Sequence, residues 1–191
     1  MRWRSCSIAL TLSLLAAPAA SAQTPLAPGE IARVADTPVL KTDFDHWLTI
    51  AVRSSGEEPD EALRKQVSQL LISNLWLELE AARVGIVVSP GAVTTVYRRQ
   101  KRKAFPREAD FQRFLKRSGH TVADLKLRVR VDLLAERLRR HWIATAKTPR
   151  GQQRRLDRAL ARYTKQWRAK TVCAEGYVSE WECGTVVPAS T

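Results

Sequence analysis

The chain has 191 residues and a formal net charge of +13, from 32 lysines and arginines against 19 aspartates and glutamates. This length is sufficient for one domain with a substantial core, and no stretch after Ala22 is apolar for long enough to cross a bilayer. The positive charge indicates solubility and anionic partners, and it does not identify a fold.

The first residues, "MRWRSCSIALTLSLLAAPAASAQ", have the pattern of a secretory signal peptide. Two arginines precede an apolar run from Ile8 to Ala17, and small residues form an A-x-A cleavage site. We expect residues 1–22 to be removed by cleavage after Ala22, together with Cys6. The mature chain is therefore expected in a periplasm, in the cell envelope or outside the cell.

A short strand or hairpin is predicted at the start of the mature chain. Residues 23–30 are rich in proline and are expected to be a flexible N-terminus. "EIARVADTPVL" then alternates apolar and polar residues before a break. Thr42, followed by acidic residues, predicts the start of a first helix, in which Phe44 and Trp47 share the apolar face.

Two further helices follow in the sequence. One begins after Pro59 and ends near Val84, where Gly85 stops it. Its apolar stripe is wider than a surface helix needs, which predicts the central helix of the core. Ser89 is the expected cap of the next helix, which runs to about Lys103.

The second half of the chain predicts three more helices. Pro106 opens the first of them. Thr121 and Asp124 resemble a capping box for a long helix to about Ala146. A last helix begins near Pro149. The fold expected is mostly α, in one helical domain over residues 31–170, followed by a disulfide loop and tail over residues 171–191.

Cys173 and Cys183 in "TVCAEGYVSEWECG" could be reactive thiols, metal ligands or a disulfide. The C-x-x-C knuckle of a zinc site or a thioredoxin-like site is missing from this sequence. An even pair of cysteines in an exported chain favours a disulfide, which would contribute roughly 2 to 3 kcal/mol to stability.

Residues for catalysis or metal binding are not indicated. The sequence lacks a nucleophile elbow, a phosphate-binding loop, a dinucleotide fingerprint and a zinc signature. The carboxylates Glu78 and Glu80 are better explained as solvated helix faces than as an acid and base pair. His46, His120 and His141 lack metal-ligand spacing and are interpreted as surface or boundary residues. We therefore expect no catalytic residue, no metal and no cofactor.

Basic runs such as "YRRQKRK", "RLRRH" and "RRLDRALARYTKQWRAK" have two interpretations. They are typical of solvated faces opposite apolar helical stripes, which is the interpretation we favour. They also suit binding to an anionic membrane surface or envelope polymer, which would weaken at raised salt. Export argues against nucleic acid as the normal target.

The order of the elements resembles that of a known family. "RVADTPVLKTDFDHWL", "QVSQLLISNLWLELEAARVGIVVSPGAV" and "FPREADFQRFLKRSGHTVADLKLRVRVDLLAERL" resemble the N-terminal chaperone domain of SurA-type and PrsA-type exported foldases. This resemblance implies a helical, ATP-independent and non-catalytic domain that binds unfolded or nascent exported polypeptides. The family's parvulin prolyl isomerase domain does not fit between Ala146 and Pro149. A complete isomerase-type foldase is the alternative.

A chaperone of this kind needs an apolar groove with a charged rim. The candidate groove residues are aromatic, and the same spacing is also typical of residues buried in a core. They are Trp47, Tyr97, Phe105, Phe111 and Phe114.

Overall fold

Six helices and a small sheet form the part of the protein that the computed structural model describes, residues 25–56 and 58–189. The mostly α fold with a short N-terminal hairpin is confirmed. The signal peptide expected at residues 1–22 lies outside the described residues. In chain order the elements are β1 Glu30–Val34, β2 Thr37–Leu40, α1 Lys41–Ser55, α2 Glu61–Arg83, α3 Pro90–Ala104, α4 Glu108–Ser118, α5 Val122–Ile143, α6 Pro149–Arg168, β3 Thr171–Ala174 and β4 Thr185–Val187.

Side-chain caps fix the starts of several helices where the sequence predicted them. The Ser89 side chain accepts a hydrogen bond from the backbone N–H of Ala92 at the start of α3. Thr121 and Asp124 form a complete capping box at the start of α5, although aspartate is shorter than the usual glutamate. The predicted cap at Thr42 is wrong, because α1 begins at Lys41 and its N-cap, Leu40, makes no side-chain bond.

The sheet joins the two ends of the described chain. Its strand order is β2-β1-β3-β4, with β1 antiparallel to both neighbours and β3 parallel to β4. The predicted disulfide between Cys173 and Cys183 is confirmed, and it links β3 to the segment before β4. The C-terminal segment, expected as a loop and tail, therefore contributes two strands to the same sheet as the N-terminal hairpin.

Two apolar clusters form the core, and α2 passes through both. Ile72 and Trp76 of α2 pack in the first cluster with the sheet and α1, while Ala81 belongs to the second with α3, α4 and α5. This arrangement confirms α2 as the central helix. Residues 25–29 belong to the N-terminus that was expected to be flexible, but the Leu26 side chain is buried.

None of the helices within residues 25–56 and 58–189 combines the length and the apolar character needed for a bilayer span. The basic faces lie mainly on α3, α5 and α6, where most arginines are exposed.

Candidate functional site

A cleft of about 360 Å³ lies between α3, α4 and α5 and contains four of the five predicted groove residues. Tyr97 and Phe111 form its floor and are only 9% and 2% exposed. Phe105 and Phe114 are half-buried and form its wall. We call this space the aromatic cleft. Its apolar surface available to a ligand therefore comes mainly from the wall residues.

The aromatic cleft owes its shape to the turn between α3 and α4. Phe105 is the C-cap of α3, and Pro106 follows it, so the helix ends there before α4 begins at Glu108. The centroid of the Phe105 ring lies 5.0 Å from that of Phe114 and 5.5 Å from that of Phe111. These are contact distances for aromatic pairs, and they hold the wall in place.

A lysine marks the rim of the aromatic cleft. The ammonium of Lys101 lies 4.1 Å from the ring centroid of Phe111 and 2.8 Å from the Glu108 carboxylate. The hydrogen bond from Lys101, aided by one from Gln112, lowers the pKa of Glu108 below its ordinary value. The rim is therefore charged at neutral pH.

A second cleft, of about 350 Å³, lies beside the first between α1, α2 and α5. Trp47, the fifth predicted residue, lines it together with Leu70 and Leu127. Arg128 and Asp132, one turn apart on α5, line both clefts. We call the two spaces together the paired clefts. The structure thus brings the five predicted residues to two adjoining spaces.

Two histidines and an aspartate connect α1 to the start of α5 near both clefts. The Nε2 atom of His46 lies 3.0 Å from Oδ1 of Asp124. The ring centroid of His120 lies 6.1 Å from that of Trp47 and 5.7 Å from that of Phe114. Both histidines are half-buried, as expected for boundary residues.

Burial and hydrogen bonds shift the pKa values of His120 and Asp124. Burial is the main effect that lowers the pKa of His120. Burial opposes ionisation of Asp124, yet hydrogen bonds from Thr121 and the contact with His46 leave its pKa below the ordinary value. The ionised Asp124 therefore serves both the capping box and the contact between α1 and α5.

One of the carboxylates interpreted as a solvated face is buried, so that interpretation is wrong for Glu80. Its side chain accepts hydrogen bonds from Arg83 and, at 3.0 Å, from the indole N–H of Trp167. The bond from Arg83 lowers the pKa of Glu80 against the effect of burial, and the bond from Trp167 adds to it. Glu78 is half-buried and lies 3.0 Å from Arg130. Glu80 therefore joins α2 to α6 and lies in neither cleft.

The leucines of the second cleft and the charged residues shared by both clefts were not among the predicted groove residues. Leu70 is 40% exposed although it belongs to the wide apolar stripe of α2. That excess width was the available signal, because a stripe wider than the packing requires leaves part of it uncovered. Arg128 and Asp132 carry no comparable signal.

No group of three His, Cys, Asp or Glu side chains that could hold a metal ion occurs in the part of the chain described by the structure. Comparison of the sequence and structure with protein-family models, with curated proteins and with solved structures found no match. The resemblance to exported chaperone domains accordingly rests on the sequence segments quoted above.

Proposed function

We propose that this protein is an exported chaperone-like protein that holds unfolded or translocating polypeptides in the paired clefts without ATP and without catalysis. The observation that carries the proposal is the adjoining position of the two clefts, with apolar walls on either side of the shared residues Arg128 and Asp132. Neighbouring open clefts suit an extended chain better than one small ligand.

The dimensions of the clefts support binding of separate side chains. Each volume is near the lower end of the roughly 300–1,000 Å³ typical of ligand pockets. Side chains on one face of an extended peptide recur about every 7 Å, so neighbouring clefts suit alternate residues of one segment. The exposed apolar wall, with Leu70 at 40% exposure, supports weak and promiscuous contacts.

The charged residues at the cleft margins support the proposed clients, and the disulfide supports the proposed export. The Lys101–Glu108 pair at the rim, and Arg128 with Asp132 between the clefts, place charges of both signs beside the apolar walls, which favours client segments that carry charged residues beside apolar ones. The disulfide between Cys173 and Cys183 is typical of proteins in oxidising compartments, which agrees with the export expected from the N-terminal sequence.

Suppression of aggregation by matched leucine variants tests the proposal. Leu70 and Leu160 are 40% and 42% exposed, but only Leu70 lines a cleft. At an equimolar ratio the unmodified protein is expected to suppress light scattering by a denatured client, Leu70→Glu to lose most of this effect, and Leu160→Glu to keep it. Absence of suppression at any ratio, or equal loss in both variants, would refute the role of the clefts.

The isomerase alternative makes a different prediction. Only residues 144–148 connect α5 to α6, whereas a small domain needs about 50 residues. The chaperone proposal therefore expects no acceleration of a proline-limited refolding reaction, and catalytic acceleration at substoichiometric protein would favour a foldase with isomerase activity instead.

A further inference from the structure

A third cleft, of about 370 Å³, lies between the end of α5 and the adjoining face of α6. It is separate from the paired clefts, and we call it the arginine cleft. It is strongly basic, with no acidic residue among those that line it. The lining residues are His141, Trp142, Arg155, Arg158, Ala159 and Arg162.

The spacing along α6 places the three arginines on one face. Residues 155, 158 and 162 are separated by three and four positions, so successive members are neighbours on the helix surface. Nε of Arg155 donates a hydrogen bond of 3.4 Å to the carbonyl oxygen of Trp142. The Trp142 ring is held in turn by Tyr163, with their centroids 5.6 Å apart. Contacts within the fold therefore hold both Arg155 and the Trp142 ring in position.

The arginines of this cleft differ from nearby arginines in their ion pairing among the described residues. Arg83 pairs with Glu80, and Arg139 and Arg140 pair with Glu136. Within residues 25–56 and 58–189, no ion pair involves the three lining arginines.

Asp157, the acidic residue of α6, does not neutralise the positive charge of the arginine cleft. Asp157 is exposed and accepts a hydrogen bond of 2.7 Å from Gln153, and it does not line the cleft. Like charges on adjacent helical turns repel each other, so an anion bound between them would relieve that repulsion.

We propose that the arginine cleft binds a phosphate-type anion, either a pyrophosphate or a phosphomonoester with a small organic group. Guanidinium groups match the oxygens of phosphate in pairs, and a carboxylate offers only one charge and two oxygens to three arginines. The cleft exceeds the size of a single phosphate, so a second phosphoryl or organic group would lie against Trp142. This site is independent of the client-binding proposal.

Calorimetric titration with pyrophosphate at low salt tests the site. The double variant Arg158→Gln/Arg162→Gln removes two lining charges. The control Arg150→Gln/Arg154→Gln removes two charges from the same helix outside the cleft. We expect saturable binding that weakens at least tenfold in the lining variant and stays within twofold in the control. Circular dichroism and the thermal midpoint establish that both variants are folded.

A parallel measurement distinguishes the sources of the phosphate. Vesicles of phosphatidylcholine with and without phosphatidic acid present the same chemistry on a membrane. Binding of pyrophosphate supports a soluble ligand. Binding only to vesicles with phosphatidic acid, lost in the lining variant, supports a lipid headgroup. Equal weakening in both double variants, no saturable binding in either assay, or tighter binding of a glutamate-rich peptide than of pyrophosphate would overturn the proposal.

Discussion

Removal of the disulfide by the double substitution Cys173→Ala/Cys183→Ala should destabilise the protein by an amount that the loop length predicts. The two cysteines are separated by 10 positions. Closing a loop of this length removes roughly 9 cal/mol/K of chain entropy from the unfolded state, which corresponds to about 2.7 kcal/mol at 25 °C. The lost packing of both buried sulfur atoms adds to this cost.

The fold should survive this substitution, because the loop has a second attachment. Oε1 of Glu182 accepts hydrogen bonds from Gln69, at 3.2 Å, and from Ser73, at 3.1 Å, both on α2. Urea unfolding at pH 7 should thus show one transition, shifted to lower denaturant. The thermal midpoint should fall by about 5–11 °C for a chain of this size.

Reductant provides the control for the disulfide prediction. Dithiothreitol should lower the urea midpoint of the unmodified protein by a comparable amount and leave the double variant unchanged. An unmodified protein whose midpoint is insensitive to reductant, together with a double variant of equal stability, would refute the reasoning that the bond constrains the unfolded chain.

Three further substitutions test local features by urea unfolding. Gly184→Ala should lower the free energy of unfolding by about 3 kcal/mol or more, because a Cβ there would lie 2.0 Å from the carbonyl oxygen of Arg168. Gly91→Ala is the control, because a Cβ at position 91 has no atom within 4 Å. Glu80→Gln should cost about 2 kcal/mol at pH 7 by weakening charge-assisted hydrogen bonds. Ala35→Gly should stabilise by about 0.5 kcal/mol, because Ala35 has a φ of 50° in the hairpin turn.

The Glu80 prediction has a defined pH dependence. The pKa of Glu80 is below its ordinary value of 4.5 in the folded protein, so its ionised form contributes stability above pH 4.5. That contribution is lost as pH falls through the folded pKa, and the difference between the unmodified protein and Glu80→Gln should shrink with it. A difference that is constant from pH 7 to pH 3 would contradict this assignment. A destabilised Ala35→Gly or an unaffected Gly184→Ala would contradict the other two.

Local signals in the sequence predicted the helices well. The capping box of Thr121 and Asp124 and the cap at Ser89 involve residues only three positions apart, so their chemistry is visible in the sequence. The hairpin of β1 and β2 is also local. The prediction failed at Thr42, where pairing of the preceding strand positions the first turn of α1 and a side-chain cap is not used.

Features that depend on distant residues were not predicted. Strand β3 forms because Val34 pairs with Thr171 across most of the chain. Glu80 is buried because Trp167, 87 positions away, donates to it. Nothing in the neighbouring sequence indicates either partner.

The geometry of the candidate site likewise depends on residues that are distant in the sequence. The aromatic residues were identified by type and spacing, but their partition into floor and wall depends on how α3, α4 and α5 pack. The exposure of Leu70 and the shared position of Arg128 and Asp132 likewise follow from the tertiary arrangement. The sequence therefore predicted candidates for the groove, and the structure supplied its geometry.

Site-specific photocrosslinking tests client binding in the paired clefts most directly. A benzoylphenylalanine replaces Asp132, which lines both clefts, or Asp157, an exposed aspartate of α6 that lines neither. The account predicts that a permanently unfolded client crosslinks from position 132 and that excess unlabelled client abolishes the product, while position 157 gives little. Equal crosslinking from both positions, or crosslinking from 157 alone, would contradict it.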